Sequence, residues 1–217
     1  MYFKSRAEAG KILAEELAQY RYENCIIVAL NDGGVDVGRQ IAARLHCSLT
    51  MLLTEQIELP GEQIDIGSVN QSGRFTYSGM FSAGEIEEYY DEFHGYIDDQ
   101  KRESMGRINK LLGYGGIVRE DLVREHVVIV VSDGLINGAS LDAAADFFKP
   151  LHILRLIIVT PVASVDAVDR MHILGDELHV LGVTDNFLGS NHYYDENNVL
   201  SHEEIIKSLD DNILSWT

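Results

Sequence analysis

The 217-residue chain predicts an α/β fold: an open, mostly parallel twisted sheet with helices on both faces. Three observations predict it. Cys25-Ile26-Ile27-Val28-Ala29-Leu30, Val127-Val128-Ile129-Val130-Val131 and Leu156-Ile157-Ile158-Val159 are apolar on successive residues, the pattern of strands buried on both faces. Segments of helical period lie between them. Turns of small and polar residues, Asn31-Asp32-Gly33-Gly34 and Ser132 to Ser140, each join a strand to a helix. The length suits one domain, residues 1–217, in which 57–115 form an inserted hairpin and long helix.

Each element has its own signal. Ser5-Arg6-Ala7-Glu8 has capping-box spacing and opens a helix to about Tyr20, with Ile12, Leu13 and Leu17 inward. After the Cys25 strand and the Gly turn, Val35 to Leu45 reads as a helix with Val35, Val37, Ile41, Ala42 and Leu45 inward. Ser48 to Leu53 is the next strand and completes a right-handed βαβ unit. Pro60-Gly61 marks a loop. Ile64 to Val69 and Phe75 to Tyr77 read as an antiparallel hairpin. Ser82-Ala83-Gly84-Glu85 is a second capping box, heading a helix from Glu85 to Leu111 that Gly95 and Gly106 would bend or split. After the Val127 strand, Leu141 to Phe148 is helical. Ile153 to Val159 is a buried strand stopped by Pro161. Ser164 to Met171 is a helix with Val165, Val168 and Met171 inward, and Glu177 to Val183 is the last strand. Residues 186–198 are irregular, and Ser201-His202-Glu203-Glu204 opens a final helix toward Leu214.

Composition narrows the function. With 17 basic and 35 acidic residues the net charge is −18, which leaves no basic surface for nucleic acid. No run of about 18 apolar residues exists to span a membrane, and Met1 to Arg6 lacks the apolar core of a signal peptide. The two cysteines, Cys25 and Cys47, have no metal-site spacing and read as buried free thiols. A cytoplasmic protein is expected.

The stretch Ser132-Asp133-Gly134-Leu135-Ile136-Asn137-Gly138-Ala139-Ser140 carries the candidate chemistry. At the exit of a buried strand, the amides of Asn137, Gly138, Ala139 and Ser140 can face an anion, and the helix dipole adds favourable potential. Asn137 and Ser140 add side-chain donors. Asp133 repels phosphate but suits a ribose hydroxyl or a metal-bound water. The same stretch also reads as a plain tight turn with Asn137 as helix N-cap. His179 reads as a packed edge residue, and Asp36 and Asp142 as helix-surface residues. His192-Tyr193-Tyr194 could cover the loop, stacking on a base or packing into the core.

The loop resembles the phosphoribosyl-diphosphate signature of type I phosphoribosyltransferases, in which an acidic pair, three residues and Thr-Gly-x-Thr follow a strand. Two further segments are similar to a bacterial branch of that family. Ala29 to Val37 resembles its Pro-Arg-Gly-Gly-Val-Pro-Val pyrophosphate loop. Leu53 to Val69 resembles its Arg-Lys segment, Pro-Gly turn and Ala-Ile-Gly-Ala-Val strand. The resemblance runs from about Phe3 to Leu209. It implies a 5′-phosphate loop at Gly134, Asn137, Gly138, Ala139 and Ser140, and a pyrophosphate loop at Asn31, Asp32, Gly33 and Gly34. It also implies a catalytic, ribose-holding Asp133 that binds Mg²⁺ through water, and a hood built from the hairpin, the long helix and the tail.

The departures fall on the chemistry. Asp32 replaces the pyrophosphate-loop Arg, Glu55-Gln56 replaces Arg-Lys, Ser132 replaces the first acid of the pair, and Ile136 stands where some relatives carry a base. Three readings follow. One is a Mg²⁺-dependent phosphoribosyltransferase, with Asp32 helping to hold the metal. Another is a catalytically degenerate sensor of a nucleoside monophosphate or ribose phosphate. The third is a scaffold with the long helix as its partner surface, the same apolar stripe making a homodimer an expected partner.

Overall fold

The computed structural model describes residues 1–61, 64–113, 118–201, 204, 205 and 209. Ser5 caps α1 (Arg6–Glu16) by accepting from the Glu8 amide, and a 3₁₀ turn (Ala18–Tyr22) leads to β1 (Cys25–Ala29). Ile12, expected inward, is 40% exposed; the face that packs carries Ala9, Gly10, Leu13 and Ala14, one helical step away. Asn31 then caps α2 (Asp32–Leu45), whose expected inward residues are all buried.

Past β2 (Ser48–Met51) the chain leaves the main sheet. The expected hairpin, β4 (Asp65–Asn70) with β5 (Phe75–Tyr77), gains a third antiparallel strand, β3 (Thr54–Glu58). Thr-Glu-Gln-Ile-Glu carries little apolar signal because only Ile57 is buried, as suits a strand with one covered face. Helix α3 (Ala83–Leu112) is a single 30-residue element. Gly95 and Gly106 leave it unbroken: a complete Ser82–Glu85 capping box and the Lys101–Asp98 and Arg102–Asp99 ion pairs support a helix anchored at Ile97 and Ile108. A short α4 (Glu120–Val123) precedes β6 (Val127–Val131).

After β6 come α5 (Ala139–Phe148), β7 (Arg155–Ser164), α6 (Val165–Leu174) and β8 (Glu177–Thr184). Pro161 does not stop β7. The β6 side of β7 is paired only as far as Val159, so a residue without an amide proton is tolerated beyond it. Val165, expected inward, is 41% exposed. Asp142, expected on the surface, is buried against Arg170. Of the expected final helix, Ile205 N donates to Ser201 O; the stretch to Leu214 lies mostly outside the described residues.

The main sheet is five-stranded and parallel throughout, in the order β2-β1-β6-β7-β8. Alternate residues of its strands face opposite layers. Ile27, Ile129 and Ile157 pack with Leu13, Leu17, Ile41 and Leu45 of the α1–α2 region. Val128, Val130 and Ile158 pack with Phe147, Phe148 and Met171 of α5 and α6. Burying each such side chain contributes roughly 1.5–3 kcal/mol, which is why the runs read as continuously apolar. The chain winds outward from β1 to β2, then crosses to β6 on the other side of β1. Connections from the carboxyl ends of β1 and β6 therefore diverge and leave a crevice, the usual ligand position in such sheets.

Candidate functional site

The crevice holds a cavity of about 410 Å³. Asn31 enters from the end of β1; Gly134, Leu135, Ile136, Asn137 and Ser140 from the loop after β6; Thr54, Glu55 and Gln56 from β3. The Phe187, Gly189 and Ser190 segment closes another side. Among the described residues no Lys or Arg lines this cavity, and the single charged one that does, Glu55, is salt-bridged to Arg107 of α3 at 3.1 Å.

The loop after β6 is shaped by its own side chains. Asn137 Oδ1 accepts from the Ala139 amide at 3.1 Å, and Asn137 Nδ2 donates to Asp65 of β4 at 2.5 Å. Gly138, not Asn137, is the N-cap of α5, and a Cβ there would sit 2.2 Å from Arg170 Cγ. Ala139 is fully buried. Of the expected cradle, Gly134, Asn137 and Ser140 line the cavity, whereas Gly138 and Ala139 support it from behind. The first-turn amides beyond Ala139 have no intrahelical acceptor, so Ser140 brings an amide and a hydroxyl to the same wall.

Asp133 does not line the cavity. Its side chain and that of Arg6 are 6% and 4% exposed and joined by a salt bridge of 2.7 Å between Arg6 Nε and Oδ2. Asn31 Nδ2 donates to the other oxygen at 2.9 Å. The Arg6 guanidinium reaches on to Asn191 Oδ1 at 2.6 Å and Asn197 Oδ1 at 3.3 Å, and lies 4.5 Å from the centre of the Tyr194 ring. The Tyr194 hydroxyl donates to the Asp133 carbonyl, and burial, with Asp133 adding to it, pushes this phenol well above its ordinary value. Tyr193 and Tyr194 are thus packed residues that fasten the tail beneath the loop. Both Asp133 oxygens thus hold donors from the protein.

The turn at Asn31 to Gly34 is closed at its glycines. Asn31 Oδ1 accepts the Gly34 amide at 2.7 Å, and α2 begins at once with Asp32. Gly33 and Gly34 are buried; a Cβ on Gly33 would lie 2.1 Å from Asp133 Oδ2, and one on Gly34 2.8 Å from the Val131 carbonyl. Among these four residues only Asn31 borders this cavity, and Asn31 and Asp32 also line a smaller neighbouring one of about 260 Å³ with Thr54 and Glu55. The donors do not make a protein-held Mg²⁺ site either. Both Asp133 oxygens are bonded, Glu55 is ion-paired, and among the described residues no group of three or more His, Cys, Asp or Glu converges on a point.

Arg6, Phe187, Gly189 and Ser190 were not legible as site residues. Gly189, at φ 95°, signals a turn, but nothing local says that this turn lies over Gly134, where Ser190 Oγ and Phe187 Cζ occupy the space of a Cβ.

No family model matches the chain. Two proteins of Mycobacterium tuberculosis, from strains CDC 1551 and H37Rv, are provisionally named phosphoribosyl transferases and are 22% identical over 210 residues. The aligned region covers 96% of this chain and 46% of theirs, so the chain spans about half the length of these relatives. The crystal structure of TT1426 from Thermus thermophilus superposes over 100% of both chains with a TM-score of 0.74 and 26% identity. A hypothetical protein from Neisseria gonorrhoeae, crystallised with bound ppGpp, shares the fold at a TM-score of 0.52 and 11% identity over 96% of each chain. Sheet order, crevice and these similarities give the chain a type I phosphoribosyltransferase-like fold. Among the described residues no helix is long and apolar enough to cross a membrane.

Proposed function

We propose that this protein binds a monophosphorylated ribose, such as a nucleoside 5′-monophosphate, and does not transfer it. One observation carries the reading. The cavity keeps a donor wall for a monoester at Ser140 and the start of α5, and its lining contains no cation among the described residues. Phosphoribosyl transfer develops charge on a departing pyrophosphate, and preorganised cations normally stabilise it. At about 4 Å one such charge contributes on the order of 4 kcal/mol at an effective dielectric of 20. Losing several slows the reaction by orders of magnitude. A monoester asks less, because amide donors and the dipole of α5 suit a single phosphate. The net charge of −18 opposes any more highly charged ligand at long range.

The test is calorimetric titration of the full chain with AMP, GMP, ribose 5-phosphate, phosphoribosyl diphosphate with and without Mg²⁺, and ppGpp. A monophosphate is expected to bind without Mg²⁺, and Ser140→Asp is expected to weaken it at least tenfold while leaving the melting curve in place. Phosphoribosyl diphosphate that binds only with Mg²⁺ and releases pyrophosphate in the presence of an acceptor base would overturn the reading in favour of a working transferase. Heatless titrations throughout would overturn it in favour of a scaffold.

A further inference from the structure

The two cysteines, distant in sequence and unrelated to the cavity, meet at the opposite end of the sheet. Strands β1 and β2 are parallel, with Ile26 opposite Ser48. One step back along both chains sets Cys25 opposite Cys47. Neighbouring strands lie about 4.8 Å apart, inside the range of roughly 4.4–6.8 Å between Cα atoms that a disulfide accepts. Both side chains pack into the same layer, among Tyr20, Leu45 and Leu49, and the Cys25 S–H donates to the Tyr20 carbonyl at 3.7 Å. Cys25 is 6% exposed, and Cys47 is half-buried, so a small oxidant has a way in.

We propose that Cys25 and Cys47 are an oxidisable pair that closes to a reversible intrachain disulfide when a peroxide is supplied. The neighbouring Cys47 thiol favours the thiolate at Cys25, against the opposing effects of burial and the Glu23 carboxylate. The thiolate is the attacking species. Cys25 Sγ takes one peroxide oxygen, the O–O bond breaks, and the other oxygen leaves as water after gaining a proton, giving a sulfenic acid. Cys47 Sγ then attacks Cys25 Sγ. The S–O bond breaks, the S–S bond forms, and the Cys47 proton leaves with the hydroxyl as a second water. Each sulfur loses one electron and the peroxide gains two. A dithiol reductant reverses the bond by exchange. The closed loop contains all of α2 and the Asn31 turn, so oxidation would staple the first βαβ unit.

The experiment is peroxide titration of the reduced full chain, followed by denaturation, alkylation with N-ethylmaleimide and intact-mass measurement. The reduced chain takes two alkyl groups, one for each cysteine. The oxidised chain is expected to be monomeric, lighter by two hydrogens, to take none, and to regain both sites after dithiothreitol. Cys47→Ser is expected to stop at a singly oxidised cysteine. Should that variant fail to fold, disulfide mapping of the unmodified chain decides the matter alone. Retention of both alkylation sites after a dose that oxidises free cysteine, oxygen adducts without a disulfide, or only chain-to-chain dimers would overturn the proposal.

Discussion

Two turns in this molecule share one local plan and behave differently. The turn after β1 and the loop after β6 both leave a buried parallel strand, pass through small and polar residues, and enter a helix at the same edge of the sheet. The first is solid. Its Asn31 carboxamide takes the Gly34 amide, and its glycines let α2 abut Asp133 and the end of β6. The second is open, with Gly134, Asn137 and Ser140 around a cavity. A double glycine after a strand therefore signals close approach, and the partner can be protein as easily as ligand. Arg6 decides which. It neutralises Asp133 inside the protein, on the far side of the loop from the cavity, while among the described residues the cavity itself is left without a cation.

Breaking that arrangement gives the largest expected effect. Arg6→Ala strands a buried carboxylate and is expected to cost about 3–5 kcal/mol of stability, read by urea denaturation. Replacing both partners, Arg6→Met with Asp133→Leu, is expected to recover most of the loss. A single variant within about 1 kcal/mol of the parent would mean that the pair is not the lock between the two turns. Glycines sharpen the same contrast at intermediate size. Gly33→Ala meets two buried, paired groups at 2.1 and 2.6 Å and is expected to cost about 1–3 kcal/mol. Gly134→Ala meets the side-chain ends of Ser190 and Phe187, which can shift, and is expected to change stability by under about 1 kcal/mol while lowering ligand affinity. Equal melting temperatures for the two variants would erase the distinction between closed and open turns. The smallest effect belongs to the one carboxylate that lines the cavity among the described residues. Glu55→Gln removes it and leaves Arg107 unpaired nearby, so monophosphate binding is expected to tighten by about twofold to fivefold, fading at high salt. Weaker binding by that variant would place the phosphate away from β3.

Much of the architecture is legible in the chain alone. Five sheet strands, the two strand-to-helix turns and the capping serines Ser5 and Ser82 follow from patterns a few residues long. The polar strand β3 escapes because one covered face needs only Ile57, and Pro161 reads as a stop because its tolerance depends on where β6 ends. The site is legible in part. The loop from Gly134 to Ser140 and the missing basic residues are local facts. The Phe187 to Ser190 wall and the role of Arg6 are not.

By itself the sequence determined the α/β class, the order of its main strands and helices, and the shortage of positive charge around the candidate loop. Those properties reside in periodicity and residue type, which each segment carries alone. Only the tertiary structure decided that Arg6 would engage Asp133 across 127 residues, that Asn137 would be held by Asp65, and that Cys25 would lie opposite Cys47. Such pairings depend on strand register and on which loops close over which, and no short window of the chain contains both partners.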